Sequence, residues 1–141
     1  ASTVQADPAS QEAFEYITSV PGLGLVCGSL LVMLFGRMQT RSADAVIAFT
    51  GLDPRPNDSG KKTGQRRLSK RGWPEIRRLM YTAAMSAART KTWNSFYRAQ
   101  RDKGMSTTAA LVVLARKLLR VAFSLFKKRV KFDATLVAAS A

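Results

Sequence analysis

The sequence contains no histidine, one cysteine and only nine acidic residues among its 141 positions. Without histidine, the chain cannot form a Ser-His or Cys-His nucleophile pair or an imidazole-ligated metal site. The single Cys27 excludes an internal disulfide framework and a zinc-thiolate cluster, and a reducing cytoplasm fits this cysteine usage. The carboxylates are scattered without metal-ligand spacing, so we expect no metal site in this chain.

Long hydrophobic runs are scarce as well. The strongest, Leu25–Phe35, has 11 residues, whereas a helix that spans a bilayer needs about 20 apolar residues. We therefore interpret this run as a buried core helix and expect no membrane span. The composition, 46% apolar and 9% aromatic, is sufficient for a compact core.

The spacing of apolar residues, prolines and glycines predicts an all-α domain of six helices. The first three run from about Ser10 to Ser19, from Leu25 to a stop at Gly36, and from Ala43 to Thr50 between a Ser42 cap and Gly51. The fourth begins at Pro74 and continues to about Arg89, the fifth ends near Gly104, and the sixth is capped by Ser106. We expect Met80, Met85, Trp93 and Phe96 in the core, and Arg116, Lys117, Arg120 and Lys127 outside it.

Composition divides the chain into five stretches. We expect a disordered start over 1–9, a helix-hairpin-helix with a short third helix over 10–52, a basic loop over 53–72, a helical lobe over 73–130 and a flexible tail over 131–141. A structureless stretch of about 20 residues inside a compact domain is uncommon unless it is functional or disordered. The loop is therefore the first place to look for a site.

Positive charge is concentrated in the second part of the chain. Residues 1–60 have three basic and six acidic residues, a net charge of −3. Because the whole chain has a net charge of +14, residues 61–141 have a net charge of +17. Eight cations lie within 18 residues: Lys61, Lys62, Arg66, Arg67, Lys70, Arg71, Arg77 and Arg78. Such density favours a polyanion as partner, and a nucleic acid is the first choice, whereas a disordered basic linker is the alternative.

A Pro21-Gly22-Leu23-Gly24 turn joins the first two predicted helices. In a helix-hairpin-helix, Gly22 and Gly24 would let the backbone approach a phosphate, which the amides opening the second helix then bind. A plain turn between helices has the same sequence pattern. The tetrapeptide alone leaves both interpretations open.

Asp58-Ser59-Gly60 stands directly before the basic cluster. Serine beside glycine is usually turn chemistry. A serine can also attack a phosphodiester when neighbouring cations stabilise its alkoxide and the charge that develops on phosphorus. Lys61, Lys62, Arg66 and Arg67 are within sequence reach of that task. Asp58 could orient or deprotonate the hydroxyl, or it could only cap the turn.

The order of these motifs resembles the C-terminal domain of the IS110 type of insertion-sequence transposases, a group that includes the Piv DNA invertases. The matching segments are VPGLG at 20–24, TGLDP at 50–54, Ser59-Gly60, LSKRG at 68–72, IRRL at 76–79, KGM at 103–105 and ARKLL at 115–119. The resemblance extends over roughly residues 15–128. Trp73-Pro74 departs from it, because a small polar turn is expected there.

The resemblance implies that Ser59 is a nucleophile that forms a covalent phosphoserine with DNA. It further implies a partner RuvC-like acidic domain that binds Mg²⁺, a homo-oligomer, in some members a structured guide RNA, and a cytoplasmic, nucleoid-associated location. We expect the chain to be a fragment without the RuvC-like part. It would then bind DNA but lack complete recombination activity.

Two other functions fit parts of the sequence. A non-catalytic helix-hairpin-helix module would explain the charge and the VPGLG turn, although it leaves Ser59 and its basic loop without a role. A basic protein of the membrane surface could use Leu25–Phe35 and the 127–131 end.

Overall fold

The computed structural model describes residues 8–52 and 74–135. Within these two ranges the backbone forms six α-helices and no strand, which confirms the predicted all-α class for this part of the chain. The helices are α1 (Pro8–Thr18), α2 (Leu25–Arg37), α3 (Ala43–Thr50), α4 (Pro74–Ala87), α5 (Lys91–Asp102) and α6 (Thr107–Lys128). The predicted basic loop over 53–72 lies outside the described residues.

Helix α6 is the centre of the fold. It packs against α1, α3, α4 and α5, and half of its 22 residues are buried. The side-chain oxygen of Ser106 accepts a hydrogen bond from the Ala109 amide at 3.1 Å, as the predicted cap requires. At 1.5 Å per residue, α6 is about 33 Å long. Its two ends therefore reach different faces of the molecule.

Helices α1 and α2 form an antiparallel pair joined by residues 19–24. The turn places Val20 and Leu23 in the core and gives Gly22 a φ of 104°, which favours glycine. The two helix backbones approach closely at Gly28, where an added Cβ would lie 2.5 Å from Thr18 Cγ2. The hairpin is therefore held by packing along α1 as well as by its turn.

The apolar run on α2 is only partly buried. Leu31, Leu34 and Phe35 face the core, and the ring of Phe35 contacts that of Phe123 with centroids 5.0 Å apart. The outer face exposes 70% of Leu25, 66% of Val26 and 54% of Met33, so the run is less buried than predicted. Among the described residues, no helix is long and apolar enough to cross a membrane.

Helix α3 has the boundaries and caps that the sequence predicts. The Ser42 hydroxyl accepts a hydrogen bond from the Ala45 amide at 3.1 Å. Gly51 ends the helix in the left-handed conformation, with a φ of 82°, and its amide donates to the carbonyls of the last turn. Helix α2 differs slightly from its prediction, because Gly36 remains helical and the helix ends at Arg37.

The core prediction is correct for Met80 and Trp93 and wrong for Met85. Met85 is 42% exposed, whereas Phe96 is partly buried against the core. Lys117 was expected outside the core but is only 6% exposed. Four helices pack against α6, so Lys117 is enclosed even though it lies on the face of α6 that was predicted to be polar.

The two ends of the described chain also pack against the domain. Helix α1 starts at Pro8, two residues before its predicted start. Beyond α6, the Phe132 amide donates to the Ser19 hydroxyl at 2.8 Å, and its ring lies 5.8 Å from that of Trp93. The first residues of the predicted tail are thus attached to the core.

Candidate nucleic-acid interface

An open groove of about 660 Å³ lies where the C-terminus of α3, the N-terminus of α4 and the N-terminal part of α6 meet. Leu52 and Pro74 both line it, and they are the described residues on either side of the 53–73 segment. The groove is lined by Gly51, Leu52, Pro74, Glu75, Arg77, Arg78, Tyr81, Thr108 and Val112. We refer to it as the α3–α4 groove.

The turn at the groove's edge is held by hydrogen bonds. The Thr50 hydroxyl donates to the Ile47 carbonyl at 2.7 Å and accepts from the Leu52 amide at 3.4 Å. Arg77 packs over this turn, since a Cβ added to Gly51 would lie 2.8 Å from Arg77 Nη1. Gly51 is therefore favoured by its positive φ, and a side chain there would also displace the end of the Arg77 side chain.

Arg77 and Arg78 are the two predicted nucleic-acid-binding cations that the structure describes in the groove. Both are exposed on the first turns of α4. Arg78 forms a salt bridge of 2.9 Å with Glu75, one turn earlier, and both side chains are more than half exposed. An exposed pair of this kind contributes little to stability, so a phosphate can replace the carboxylate at small cost.

Arg116 is a residue that the sequence analysis missed. Its Nη1 donates to the Leu52 carbonyl at 3.3 Å, across 64 positions of the sequence. This bond connects the middle of α6 to the backbone at the point where the described chain leaves α3. The sequence has no local signal for it, because helical spacing indicates only which face of α6 is polar.

The hairpin glycines lie away from the groove. Gly22 is packed on the C-terminus of α4, where an added Cβ would be 2.6 Å from Ala87 Cβ, so its role here is close packing. The groove lies at the other end of α4, and Arg77 is about 15 Å from Ala87 along the helix axis. The structure thus does not bring Gly22 together with Arg77.

Gly24 has a different environment. It is the N-cap of α2 in an extended conformation, it is exposed, and apart from its chain neighbours no atom of the described residues lies within 4 Å of the position of an added Cβ. As a glycine, it provides no side-chain cap for this helix end. An anion can therefore approach the first turn of α2, as the helix-hairpin-helix interpretation requires.

The predicted nucleophile and most of the predicted cations fall outside the described residues. These are Ser59, Lys61, Lys62, Arg66, Arg67, Lys70 and Arg71. Trp73, at which the sequence departs from the family resemblance, falls there too. The structure describes only the groove from which their segment departs.

The described part of the chain contains neither a reactive thiol nor a group of side chains that could hold a metal ion. Burial raises the pKa of the Cys27 thiol to about 11, and the thiol donates a weak hydrogen bond of 3.6 Å to Met80 Sδ. A thiol with such a pKa is protonated at neutral pH and a poor nucleophile. Over residues 8–52 and 74–135, no three Asp, Glu, Cys or His side chains form a group that could hold a metal ion.

Comparison with known proteins gives a consistent set of relatives. Residues 14–98 match the model of the transposase IS116/IS110/IS902 family. The chain is 32% identical over 117 residues to the uncharacterized 44.8 kDa protein of insertion element IS116 from Streptomyces clavuligerus, covering 82% of this chain and 29% of that protein. It is 30% identical over 130 residues to the uncharacterized 42 kDa protein of IS900 from Mycobacterium paratuberculosis, covering 90% and 33%.

A relative that does not belong to an insertion element by name is the pilin gene-inverting protein of Moraxella lacunata. It is 25% identical over 121 residues, which cover 83% of this chain and 38% of that protein. The chain therefore spans about a third of the length of the curated relatives it matches.

Proposed function

Because the chain belongs to the IS116/IS110/IS902 family of transposases, as its motifs predicted, we propose that it is the DNA-binding, serine-bearing domain of a transposase or site-specific recombinase. Its partner is DNA. Ser59 is the proposed nucleophile, and the cations of 61–78 bind the phosphates around it.

The observation that carries this proposal is the α3–α4 groove. Leu52 and Pro74 line it together with Arg77 and Arg78, so the segment containing Ser59 is joined at both ends to a groove with positive charge. Arg116 does not line the groove, but it adds a third cation next to it through its bond to the carbonyl of Leu52. Two guanidinium groups in the groove and a third beside it favour an anionic ligand such as a phosphodiester.

The proposed reaction is a transesterification. Ser59 Oγ attacks phosphorus, the bond from phosphorus to the leaving strand's oxygen breaks, and that strand departs as a free hydroxyl. The proton lost by Ser59 passes to a base, for which Asp58 is the candidate, and a proton is supplied to the leaving oxygen. Lys61, Lys62 and Arg66 would stabilise the negative charge that develops on the phosphorane.

The other parts of the reaction are proposed for the longer protein. A RuvC-like acidic domain with Mg²⁺ would act together with Ser59, and acidic site and serine could come from different subunits of a homo-oligomer. A structured guide RNA is a further possible partner for target choice. We expect the protein to act in the cytoplasm, associated with the nucleoid.

A second candidate function is a non-catalytic helix-hairpin-helix module that binds nucleic acid. The open N-terminus of α2 at Gly24 supports it, because the unpaired amides of a helix start bind phosphate without reading sequence. In this alternative, Ser59 has no chemical role.

Replacement of the serine distinguishes the two functions. In the full-length transposase, Ser59→Ala is expected to abolish the covalent protein–DNA adduct and recombination, because no other atom takes the place of Oγ. DNA affinity should stay within about twofold, since a neutral hydroxyl contributes little beside the phosphate contacts of the cations. Adduct formation is measured on denaturing gels with labelled DNA.

Thr63→Ala is the matched control, because it removes a hydroxyl from the same segment. It should leave adduct and recombination unchanged. Normal recombination by the Ser59→Ala protein would show that Ser59 is not the nucleophile and would favour the non-catalytic module.

A further inference from the structure

A second group of cations lies where the C-terminal part of α6 meets the N-terminus of α3. Its members are Arg41, Arg120, Lys127 and Lys128, and we call the surface that they form the α6 basic surface. Arg120, Lys127 and Lys128 line a cavity of about 280 Å³ together with Ala43, Phe123 and Ser124. Arg41 lines the adjoining cavity with Arg37.

Lys127 is held in place by two contacts. Its Nζ donates to the Arg41 carbonyl at 3.0 Å and lies 4.8 Å from the centroid of the Phe123 ring. An ammonium group has three donors, so those not used by the carbonyl can still bind an anion. A cation that is already positioned loses less side-chain entropy when a ligand binds.

One carboxylate lies among these cations. Asp44 Oδ1 accepts from Arg120 Nη2 at 2.6 Å, and the Asp44 side chain is 80% exposed. Because the pair is exposed, water and ions screen it, and a phosphate can compete for Arg120. The positive end of the α3 dipole, next to Ala43, adds to the attraction for an anion.

The α6 basic surface is separate from the α3–α4 groove. Val112 is the last α6 residue that lines the groove, and Arg120 and Lys127 lie eight and 15 residues later on the same helix, which corresponds to about 12 and 22 Å along its axis. These distances correspond to about four to seven base pairs of duplex DNA at 3.4 Å each. A phosphate bound beside Lys127 therefore cannot contact the groove.

We propose that the α6 basic surface is a second DNA site, which binds the sugar-phosphate backbone of duplex DNA without reading its sequence. Lysine and arginine charges around a shallow cavity suit phosphates, and base readout is not needed for such contacts. The inference rests on the proposed DNA-binding function. With two sites on one rigid helix, the domain can hold either two duplex segments or one duplex at two points.

Charge removal at this surface tests the proposal. The triple variant Arg120→Gln, Lys127→Gln, Lys128→Gln is compared with the control Lys91→Gln, Arg98→Gln, Lys103→Gln, which removes the same charge from exposed positions on and next to α5. Affinity for a labelled duplex is measured over a series of salt concentrations. The α6 triple is expected to lower the salt slope by about 2.7, the value for three phosphate contacts, and the control by less than 1.

Equal reductions of the salt slope in the two triple variants would mean that positive charge attracts DNA wherever it lies on the surface. That result would overturn the proposal. Unchanged binding by the α6 triple would overturn it as well, while leaving DNA binding by the groove intact. If the wild-type protein does not bind DNA at all, the proposed function itself fails. A larger loss on anionic vesicles or on structured RNA than on duplex DNA would assign the surface to that other partner.

A variant that increases the affinity for duplex DNA gives a second test, because partial unfolding would lower that affinity and not raise it. Asp44→Asn removes the carboxylate that occupies Arg120 and keeps the shape of the side chain. Duplex affinity is expected to rise about threefold at low salt. Unchanged or weaker binding by Asp44→Asn would contradict the proposed role of Arg120.

Discussion

Lys117 carries an ammonium group that is enclosed between α5 and α6. The side chain is 6% exposed, and its Nζ lies 5.6 Å from the centroid of the Phe96 ring. In the part of the chain that the structure describes, neither Lys117 Nζ nor the nearby Trp93 Nε1 has a hydrogen-bond partner. A buried charge with only an aromatic ring beside it reduces stability, and the cation–π contact offsets only part of the cost.

Lys117→Met is therefore expected to stabilise the domain. Methionine has similar length and flexibility, so it can fill the same space without a charge to desolvate. We expect the free energy of unfolding at neutral pH to rise by about 1 kcal/mol, measured by urea denaturation. A marked loss of stability would show that the ammonium group has an acceptor that stabilises it.

The pH dependence of the free energy of unfolding tests the same destabilisation by the buried Lys117 charge. Burial, with a further contribution from Arg120, lowers the pKa of Lys117 below its ordinary value of 10.5. Between the lowered pKa and 10.5, the unfolded chain binds more protons than the folded protein, so folding becomes more favourable as the pH rises. The stability difference between wild type and Lys117→Met should shrink across this window, and a constant difference would contradict the assignment.

The burial of individual side chains was the feature that the sequence predicted least well. Helical spacing correctly placed Met80 and Trp93 in the core, because one apolar face is enough to predict burial. It failed for Met85 and Lys117, since their exposure depends on how many helices surround each face. Spacing within one helix does not contain that information.

At the scale of elements, the α1–α2 hairpin depends on Gly22. Its positive φ and the 2.6 Å approach of an added Cβ to Ala87 both oppose any side chain. We expect Gly22→Ala to lower the free energy of unfolding by about 2 kcal/mol, measured by urea denaturation.

Gly36→Ala is the matched control, because Gly36 is helical, exposed and without any atom within 4 Å of an added Cβ. Alanine there should raise the free energy of unfolding by about 0.5 kcal/mol, since it restricts the unfolded chain. Equal effects of the two substitutions would contradict the packing of the hairpin on α4.

Element boundaries were predictable where capping residues occur. Ser42, Gly51 and Ser106 fix the ends of α3 and the start of α6 through hydrogen bonds or a positive φ, which are local properties. Gly36 misled the prediction, because a glycine ends a helix only when the chain turns there. That turn depends on how α2 packs against its neighbours.

For the whole molecule, α6 connects the two cationic surfaces. Its N-terminal part lines the α3–α4 groove, and its last turns form the α6 basic surface. The sequence predicted the excess of positive charge in the second part of the chain. It could not predict that Arg116 reaches Leu52 or that Arg120 reaches Asp44, because these partners are 64 and 76 positions apart.

The proposed function requires that the cations of 61–78 bind DNA phosphates. Its most direct test is the salt dependence of duplex binding by the wild type and by the double variant Arg77→Gln, Arg78→Gln. Six to eight phosphate contacts by these cations are expected to contribute about −5 to −7 to the slope of log K against log salt, the α6 basic surface adds about −2.7, and the double variant should reduce the total slope by about 1.8. A wild-type slope near zero, or a slope that the double variant leaves unchanged, would contradict the account.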